Sequence, residues 1–366
     1  MQKVNAKNRD KIFLFVGRLE KEKGVDILLK ILDDKRNTAG DWKWHIFGDG
    51  SFFDALKKRE SNKIIVHGNV STKILNTFFK KASLTFMPSR FLETFGLVAL
   101  ESLSNGTPVC GFAKGGLADM IPPSLTIDEA HPIDSFFEKA QNNHFELIDT
   151  EPFSYQTWEK NLIKHTKGTK KILLISDYIS RIGGAETYTI NLKNSLESIG
   201  KTVRIIGCKK SPSPLMRKLL FLMTPFAFWR AQKIKTEVRT FGPDLIWCGT
   251  ITRYIGPWGA RVIAKDRNSK KYITHHDIGL ICPRPSKIYH ETQIPKSLTL
   301  SSWLRGERNI LSILLILGKW LYVQWIWRYI RTFDIHLLPS KWIKKHLPRN
   351  VERKVFEHTI FEEEKT

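Results

Sequence analysis

The sequence predicts an α/β protein with two doubly wound domains, each built on a parallel sheet. The chain has 366 residues, more than one ordinary core accommodates. Short apolar runs alternate with amphipathic stretches, and this alternation starts again after Lys167. Strands that alternate with helices are typical of parallel sheets covered by helices on both faces.

In the first half, the strand-like runs are rich in β-formers and bounded by Gly, Pro or Ser. They lie at 11–17, 42–48, 63–68, 84–89 and 107–112. Between them, VDILLKILDD (25–34) and STKILNTFFKKA (71–82) repeat apolar residues at helical spacing.

The second half repeats the pattern. Strands are predicted at 170–179, 202–207, 244–249, 270–277 and 334–340. A helix is predicted over 183–200, where Gly200 stops it, and another over 154–168 with Ser154 as its N-cap. We therefore predict a first domain over 1–153, a helix and link over 154–169, and a second domain over 170–366.

Four scattered cysteines form neither a CxxC pair nor a metal-ligand spacing with histidine. They are Cys110, Cys208, Cys248 and Cys282. The first residues, MQKVNAKNRDK, lack the apolar stretch of a secretory signal. We expect reduced thiols and a cytoplasmic protein.

The formal charge of +23 is unevenly distributed. Residues 1–166 contain 23 Lys and Arg against 21 Asp and Glu, whereas residues 167–366 contain 36 against 15. Such an excess favours an anionic partner for the second half, either nucleic acid or an acidic membrane surface. A merely soluble basic surface is the alternative.

Two segments, 214–233 and 308–333, are apolar, aromatic and flanked by Lys and Arg. Lys319 lies inside the longer one and disfavours a membrane span. A basic helix rich in Trp fits the headgroup region of a membrane, at the inner face of the cell membrane in this case. A core helix of the second domain is the alternative.

The stretch VGRLEKEKG (16–24) follows a predicted strand and is the first candidate site. Arg18 and Lys23 place two positive charges beside a glycine-flanked loop, which suits a diphosphate. Taken alone, a solvated loop explains these residues equally well.

The stretch PSRFLETFGLVALE (88–101) is the second candidate. Thr94, Phe95 and Gly96 open an amphipathic helix, where unpaired amides and the helix dipole bind phosphate. Glu93 and Glu101 are better suited to sugar and ribose hydroxyls than to phosphates. Taken alone, a capping acid and a solvated acid are the simpler interpretation.

Five stretches of the first half resemble, in order and spacing, the donor-binding domain of group 4 (GT4) retaining glycosyltransferases. They are GRLEKEKG, GDGSFFDAL, IIVHGNV, FMPSRFLETFGLVALESLSNGTPVCG and GGLADM. The resemblance implies the GT-B fold, two facing Rossmann-like domains, and a nucleotide-sugar donor of UDP or GDP type. It implies no metal and no other cofactor. The donor-binding residues it implies in this half are Gly17, Arg18, Lys23, Gly48, Gly50, Gly68, Glu93, Thr94, Phe95, Gly96, Leu97 and Glu101.

Within that resemblance, Arg18 and Lys23 hold the diphosphate, Glu93 lies by the donor sugar and Glu101 binds ribose. Phe95, Gly96 and Leu97 present backbone amides. Asp119 stands where many relatives have Glu, which leaves its role open.

The second half resembles the acceptor-binding domain of the same family. KKILLISDYISRIGGAE contains Gly183 and Gly184, which allow the backbone to approach the donor. HHDIGLICPR (275–284) is similar to the strand end that carries the family's site histidine. His276 is the better match and His275 the alternative.

The donor domain therefore precedes the acceptor domain, which reverses the family's usual order and implies a circular permutation. Rival motifs are absent: the sequence has no Asp-x-Asp, no GxGxxG after a strand, no Walker lysine loop and no G-x-S-x-G.

The resemblance implies sugar transfer with retention to a hydroxyl acceptor, with Glu93, His276, Arg18 and Lys23 at the reacting centre. The basic second half indicates a lipid-linked or polysaccharide acceptor at a membrane surface; nucleic acid is the less favoured partner. Three alternatives stay open: an epimerase of the same fold, a non-catalytic nucleotide- or membrane-binding relative, and a site completed only in a dimer.

Overall fold

The computed structural model describes residues 2–5, 10–141, 144–179, 184–209, 228–282, 299–304, 309–348 and 350–359. Within them the chain forms two compact units. The first holds the described residues up to Tyr155 together with His358 and Thr359, and the second holds those from Gln156 to Glu357. The predicted fold class, two α/β domains with parallel sheets, is confirmed.

The first unit is built on a five-stranded parallel sheet. The described strands of this unit are β1 (Gln2–Asn5), β2 (Asp10–Val16), β3 (Lys43–Phe47), β4 (Ile64–Gly68), β5 (Ala82–Met87), β6 (Val109–Gly111) and β7 (His144–Leu147). The sheet has the order β4-β3-β2-β5-β6, while β1 and β7 pair antiparallel as a separate ribbon that was not predicted. The carboxyl ends of the five parallel strands therefore meet at one edge.

Six α-helices lie in the described part of the first unit. They are α1 (Val25–Leu32), α2 (Lys35–Ala39), α3 (Phe53–Lys57), α4 (Thr72–Lys81), α5 (Leu97–Ser104) and α6 (Pro132–Ala140). The helix predicted over 25–34 ends earlier, because the Asp34 carboxylate accepts from the amide of Arg36 (2.8 Å) and caps a second helix.

An aromatic cluster of Phe13, Trp44, Phe86 and Phe136 packs between the sheet and α6. The ring centroids of Phe13 and Trp44 are 5.2 Å apart, and Phe136 lies 5.5 Å from Trp44 and 4.8 Å from Phe86. The indole of Trp44 donates to Asn37 Oδ1 (2.8 Å), so its polar atom is satisfied inside the core. The cluster holds the central strands rigidly beneath the loops at their carboxyl ends.

The second unit has a six-stranded parallel sheet in the order β13-β12-β11-β10-β8-β9. Its strands are β8 (Lys171–Tyr178), β9 (Thr202–Cys208), β10 (Leu245–Cys248), β11 (Lys270–Thr274), β12 (Ile335–Leu338) and β13 (Arg353–Val355). The first five correspond to predicted strands, and β13 was not predicted.

The helices of this half are α7 (Tyr155–His165), α8 (Gly184–Ser198), α9 (Phe228–Phe241), α10 (Gly256–Lys265), α11 (Leu300–Leu304) and α12 (Ile310–Ile330). α7 begins directly after Ser154, and its Trp158 packs within the second unit against Tyr188 and Phe356. Of the predicted segment 214–233, the part before Phe228 lies outside the described residues.

α12 coincides with the longer of the two apolar segments. By length and composition alone it would suffice to cross a membrane. One of its faces, however, packs into the second unit, with Ile316, Val323, Ile326 and Trp327 buried.

Candidate functional site

Backbone hydrogen bonds join the loops that follow β2, β3 and β4 at the carboxyl edge of the first sheet. The amide of Gly17 donates to Phe47 O (3.0 Å), and that of Gly48 donates to Gly68 O (2.8 Å). The amide of Leu19 donates to Asp49 O (2.8 Å). The three predicted glycine positions thus lie side by side.

The approach of these loops requires glycine at position 48. Its φ of +127° is unfavourable for other residues, and a Cβ there would overlap the carbonyl oxygen of Gly17. Gly50 follows in the same loop, where the amide and hydroxyl of Ser51 both donate to the carboxylate of Glu20 (2.9 and 2.6 Å).

A cavity of about 270 Å³ opens at this edge. It is lined by Val16, Gly17, Arg18, Phe47, Gly48, Asp49, Gly68, Asn69, Val70 and Leu75. Its volume is slightly below the roughly 300–1,000 Å³ of small-molecule sites. The amide side chain of Asn69 is a polar group that the motif analysis did not single out.

Lys23 and Glu93 lie together beside this edge. The short turn that carries Lys23 is fixed because Glu22 O accepts from the amides of Arg90 (2.9 Å) and Phe91 (3.0 Å). Lys23 Nζ donates to Glu93 Oε1, which also accepts from the hydroxyl of Ser89 (3.2 Å). Ser89 was not predicted, although its position four residues before Glu93 in the same motif is a usable signal.

Arg18 is held less firmly. Its guanidinium lies 3.1 Å from Glu22 Oε1, and the side chain is 62% exposed. An exposed ion pair of this kind contributes little stability, so the guanidinium is available to an anion that enters the cavity.

Helix α5 directs its amino end toward the same region. Gly96 occupies its N-cap, and Leu100 is the first residue whose amide bonds back to Gly96 O (3.1 Å). Within the described part of the chain, the amides of Leu97, Val98 and Ala99 have no backbone acceptor. Such amides and the helix dipole favour a bound anion.

The loop Gly115–Asp119 supports the Glu93 segment from behind. Gly115 has a φ of +61°, and a Cβ there would overlap Glu93 O, which accepts from the amide of Gly116 (2.6 Å). Asp119 lies in the same turn and is partly buried. The position of Glu93 is therefore set by backbone contacts.

The ring of Phe95 is buried and faces the core. It packs against Phe153 (5.7 Å between centroids) and His358 (5.3 Å), while Thr359 Oγ1 donates to Phe153 O (2.7 Å). The Phe95 side chain is therefore directed into the core, so this residue can present only its backbone to a ligand.

Glu101 lies on the second turn of α5 and is partly buried. Among the described residues, no side chain or amide pairs with its carboxylate. Burial raises the pKa of Glu101 to about 7. A ligand hydroxyl that reached this carboxyl group would satisfy it in either protonation state.

In the second unit, the two adjacent histidines occupy different environments. His275 is buried: its Nε2 lies 2.9 Å from His336 Nδ1, and its ring stacks on Trp327. Burial lowers the pKa of His275 well below its ordinary value. His275 therefore belongs to the core.

His276 lies beyond the carboxyl end of β11 and is only partly buried. Its ring meets the edge of Tyr188 (5.0 Å), and burial lowers its pKa to about 4. Of the two candidates, His276 is the one placed to reach a ligand as a neutral imidazole.

Asp177, which the motif analysis did not single out, organises a loop beside these histidines. Its buried carboxylate accepts from the amides of Arg253, Tyr254 and Ile255 (2.8, 2.8 and 2.9 Å). An acid at the end of a buried strand was the available signal. Gly184 is exposed at the start of α8, and Gly183 lies outside the described residues.

The part of the chain that the structure describes contains no group of three or more His, Cys, Asp or Glu side chains placed to hold a metal ion. The first unit thus offers a glycine-lined strand edge, a helix amino end, two cations and two carboxylates. This combination suits an anionic ligand that also carries hydroxyl groups.

Comparison with known proteins finds similarity in the first unit. Residues 1–126 match the family model of group 1 glycosyl transferases. The predicted resemblance of this half to glycosyltransferases is confirmed.

Two relatives illustrate the extent of the similarity. An uncharacterized 41.2 kDa protein from the cps region of Klebsiella pneumoniae is 37% identical over 123 residues, which are 33% of this chain and 33% of that protein. The lipopolysaccharide 1,6-galactosyltransferase of Salmonella typhimurium is 34% identical over 132 residues, 33% of this chain and 36% of the enzyme. The chain thus matches about a third of the length of these relatives.

Among solved structures, WaaG, a glycosyltransferase involved in lipopolysaccharide biosynthesis, is 21% identical with a TM-score of 0.31. The match covers 37% of this chain and 40% of that one.

The raised pKa of Glu101 predicts a pH-dependent stability. Because its folded pKa lies above its ordinary value near 4.5, the folded state loses stability as the pH rises from about 4.5 through 7. The substitution Glu101→Gln removes this loss. We expect the variant to gain about 1–3 kcal/mol relative to the native chain between pH 5 and pH 8, measured by denaturant unfolding.

Glu20→Gln is the matched control with the opposite sign. The hydrogen bonds from Ser51 lower the pKa of Glu20, so its charged form stabilises the fold above its ordinary pKa. Relative to the native chain, this variant should be less stable at pH 5 and above, and the difference should vanish as the pH falls below about 4.5. Parallel curves for Glu101→Gln and the native chain would contradict the assignment.

The two histidines should differ in how much they contribute to the stability of the fold. His275→Ala removes the bond to buried His336 and leaves a cavity beside Trp327, so we expect a loss of about 2–4 kcal/mol in unfolding free energy. His276→Ala should cost roughly 1 kcal/mol or less. Denaturant unfolding of both variants measures the difference, and an equal or reversed loss would refute the distinction.

Proposed function

We propose that the chain is a glycosyltransferase that moves a sugar from a nucleoside diphosphate donor of UDP or GDP type to a hydroxyl acceptor, with retention. The observation that carries the proposal is the pairing of Lys23 with Glu93 beside the free amides of α5, within the region that matches group 1 glycosyl transferases. These groups supply positive charge for a diphosphate and a carboxylate for sugar hydroxyls.

In the proposed reaction, the bond between the anomeric carbon and the diphosphate oxygen breaks while the acceptor oxygen bonds to that carbon. Negative charge grows on the leaving diphosphate, and Arg18, Lys23 and the amides at the start of α5 stabilise it. The acceptor proton passes to a leaving phosphate oxygen on the same face. No divalent metal enters this scheme.

Glu93 would hold the donor sugar and Glu101 the ribose. As a diphosphate approaches, Lys23 gains a second anionic partner, which loosens its bond to Glu93 and frees that carboxylate for sugar hydroxyls. The ion pair would thus keep both side chains in place until the donor binds.

The first unit would bind the donor and the second the acceptor, in the reverse of the family's usual order. Support comes from α7, which follows the first unit along the chain yet packs on the second: Tyr272 Oη donates to His165 O (3.1 Å), and Trp158 contacts Phe356. A helix of this kind is what a circular permutation of the family's fold requires. His276 would contact the donor sugar.

The acceptor would be a lipid-linked or polysaccharide hydroxyl at the inner face of the cell membrane. The excess of Lys and Arg in residues 167–366 supports an anionic surface nearby. The matched Salmonella relative is a lipopolysaccharide 1,6-galactosyltransferase, which supports a related envelope acceptor.

A panel of UDP- and GDP-sugars tests the donor assignment. A donor at a hundredfold excess over its Kd adds about 2.7 kcal/mol, so we expect one of them to raise Tm by several degrees. That donor should then release its nucleotide when an acceptor is added, at a rate unchanged by EDTA, and the product's anomeric configuration should match the donor's.

The same panel separates the alternatives. An altered nucleotide sugar without an acceptor would identify an epimerase, and a Tm shift without turnover would identify a non-catalytic relative. The absence of any shift and of any released nucleotide would reject the proposal.

Lys23→Met tests the charge assigned to the diphosphate. Methionine keeps most of the length of the side chain but removes the charge, so kcat/KM should fall by about 10²–10³. Lys21→Met is the matched control, because Lys21 is exposed on the same turn. Equal activities of the two variants, with unchanged Tm, would exclude the role of Lys23.

A further inference from the structure

The outward face of α12 carries a stripe of exposed aliphatic side chains. Ile310 is 76% exposed, Leu311 66%, Leu314 59%, Leu315 67% and Leu321 56%. Gly318 lies among them with open space around it. We call these six residues the apolar face of α12.

These residues form one continuous surface. At 100° per residue they fall within an arc of about 140°, and they extend along roughly 17 Å of helix. Soluble monomers rarely expose a contiguous aliphatic patch of this kind, and such patches mark interaction sites.

The opposite face of α12 is anchored in the second unit. Tyr322 Oη donates to Thr252 O (2.9 Å), Trp327 Nε1 donates to Leu280 O (2.7 Å), and Trp325 meets the edge of Trp258. A membrane-spanning orientation would expose these polar groups to lipid and break the bonds. A helix anchored in this way can meet a membrane only in the plane of its surface.

The charges around α12 select the kind of surface. The helix contains no Asp or Glu; of its two charged residues, Lys319 is directed into the second unit, where its Nζ donates to Cys282 O (3.4 Å), and the other is Arg328. Arg328 is exposed and continues the apolar face at its carboxyl end. Together with the excess of Lys and Arg in residues 167–366, the absence of acidic residues from α12 favours anionic headgroups over neutral ones.

A second exposed apolar pair lies close to the loop 252–254, which α12 also contacts. Phe228 and Trp229 are exposed in the first turn of α9, and the neighbouring Arg230 donates to Tyr254 O (3.2 Å). Tyr322 of α12 bonds Thr252, two residues earlier in that loop. Aromatic residues at such a position are typical of membrane–water interfaces.

We propose that the apolar face of α12 inserts into the headgroup region of an anionic lipid bilayer, with the helix parallel to the membrane plane. The role of this docking surface rests on the proposed function: it would hold the enzyme beside a lipid-linked acceptor. Its occupant is the bilayer itself, and neither a second copy of the chain nor a peptide.

Co-sedimentation with vesicles tests the docking surface. We expect the native chain to bind phosphatidylglycerol–phosphatidylcholine vesicles at low salt, to bind pure phosphatidylcholine far less, and to be released by high salt. The triple variant Leu311→Gln/Leu314→Gln/Leu315→Gln should bind anionic vesicles at least about tenfold more weakly, because it removes most of the inserting aliphatic surface.

Ile74→Gln/Ile163→Gln is the matched control. It replaces two isoleucines of α4 and α7 that are 47% and 50% exposed, and it should bind vesicles like the native chain. Far-UV circular dichroism and Tm of all three proteins show that the substitutions leave the fold intact.

Equal vesicle binding by the triple variant and the native chain would overturn the proposal, as would equal binding to neutral and anionic vesicles. Light scattering that showed a dimer of the native chain, lost in the triple variant, would overturn it in favour of a second copy. The donor-induced Tm shift is measured without vesicles. The absence of that shift would therefore count against the proposed transferase activity only. Vesicle binding would still test the proposed docking surface independently.

Discussion

The close approach of backbone to backbone at the carboxyl edge of the first sheet is the constraint on which the candidate site depends. Gly48 lies so near Gly17 O that no side chain fits between them, and Gly115 is likewise too near Glu93 O for a side chain. These two contacts bring the loops after β2 and β3 together and set the position of the Glu93 segment. The cavity and the ion pair between Lys23 and Glu93 exist because the loops are held at this spacing.

The charges at this edge are balanced in a way that suits an incoming anion. Lys23 is paired with Glu93, and Arg18 with Glu22, so no uncompensated cation is buried without a ligand. The amides at the start of α5 add partial positive charge that no carboxylate among the described residues neutralises. A diphosphate could therefore interact with the amide dipoles of α5 and with the side chains of Lys23 and Arg18, which can exchange their present carboxylate partners. Of these two, Arg18 is the exposed and weakly held one.

Sequence patterns predicted most of the sheet architecture, because buried parallel strands are near-continuous apolar runs. They also singled out residues that the structure brings together at one edge of the first sheet, because those residues lie in contiguous motifs. The hydrophobic pattern failed to predict those elements whose ends or existence depend on tertiary contacts. The split between α1 and α2 depends on a single cap by Asp34, and β1, β7 and β13 are only three or four residues long. Periodicity has little to detect in such short elements.

His275 and His276 show the same limit within the site. Adjacent residues on a strand point to opposite sides, so the dipeptide alone left both open. The choice is made by His336 and Trp327, which are 61 and 52 positions away along the chain and enclose His275. Asp177 and Ser89 were missed for a related reason: their importance lies in the groups that they bond, and their positions in the local motifs are only indirect signals of those bonds.

α12 shows why the same composition supports different structural roles. Counted along the chain, its residues are apolar enough for a membrane span, yet they divide by direction. Val323, Ile326 and Trp327 fill the core of the second unit, while Ile310, Leu314 and Leu321 face outward. Hydropathy averages over the circumference of a helix and therefore cannot separate a span from a helix that is half core and half surface. The hydrogen bonds of Tyr322 and Trp327 make that separation, since they fix which half is already satisfied by protein and which half still lacks a partner surface.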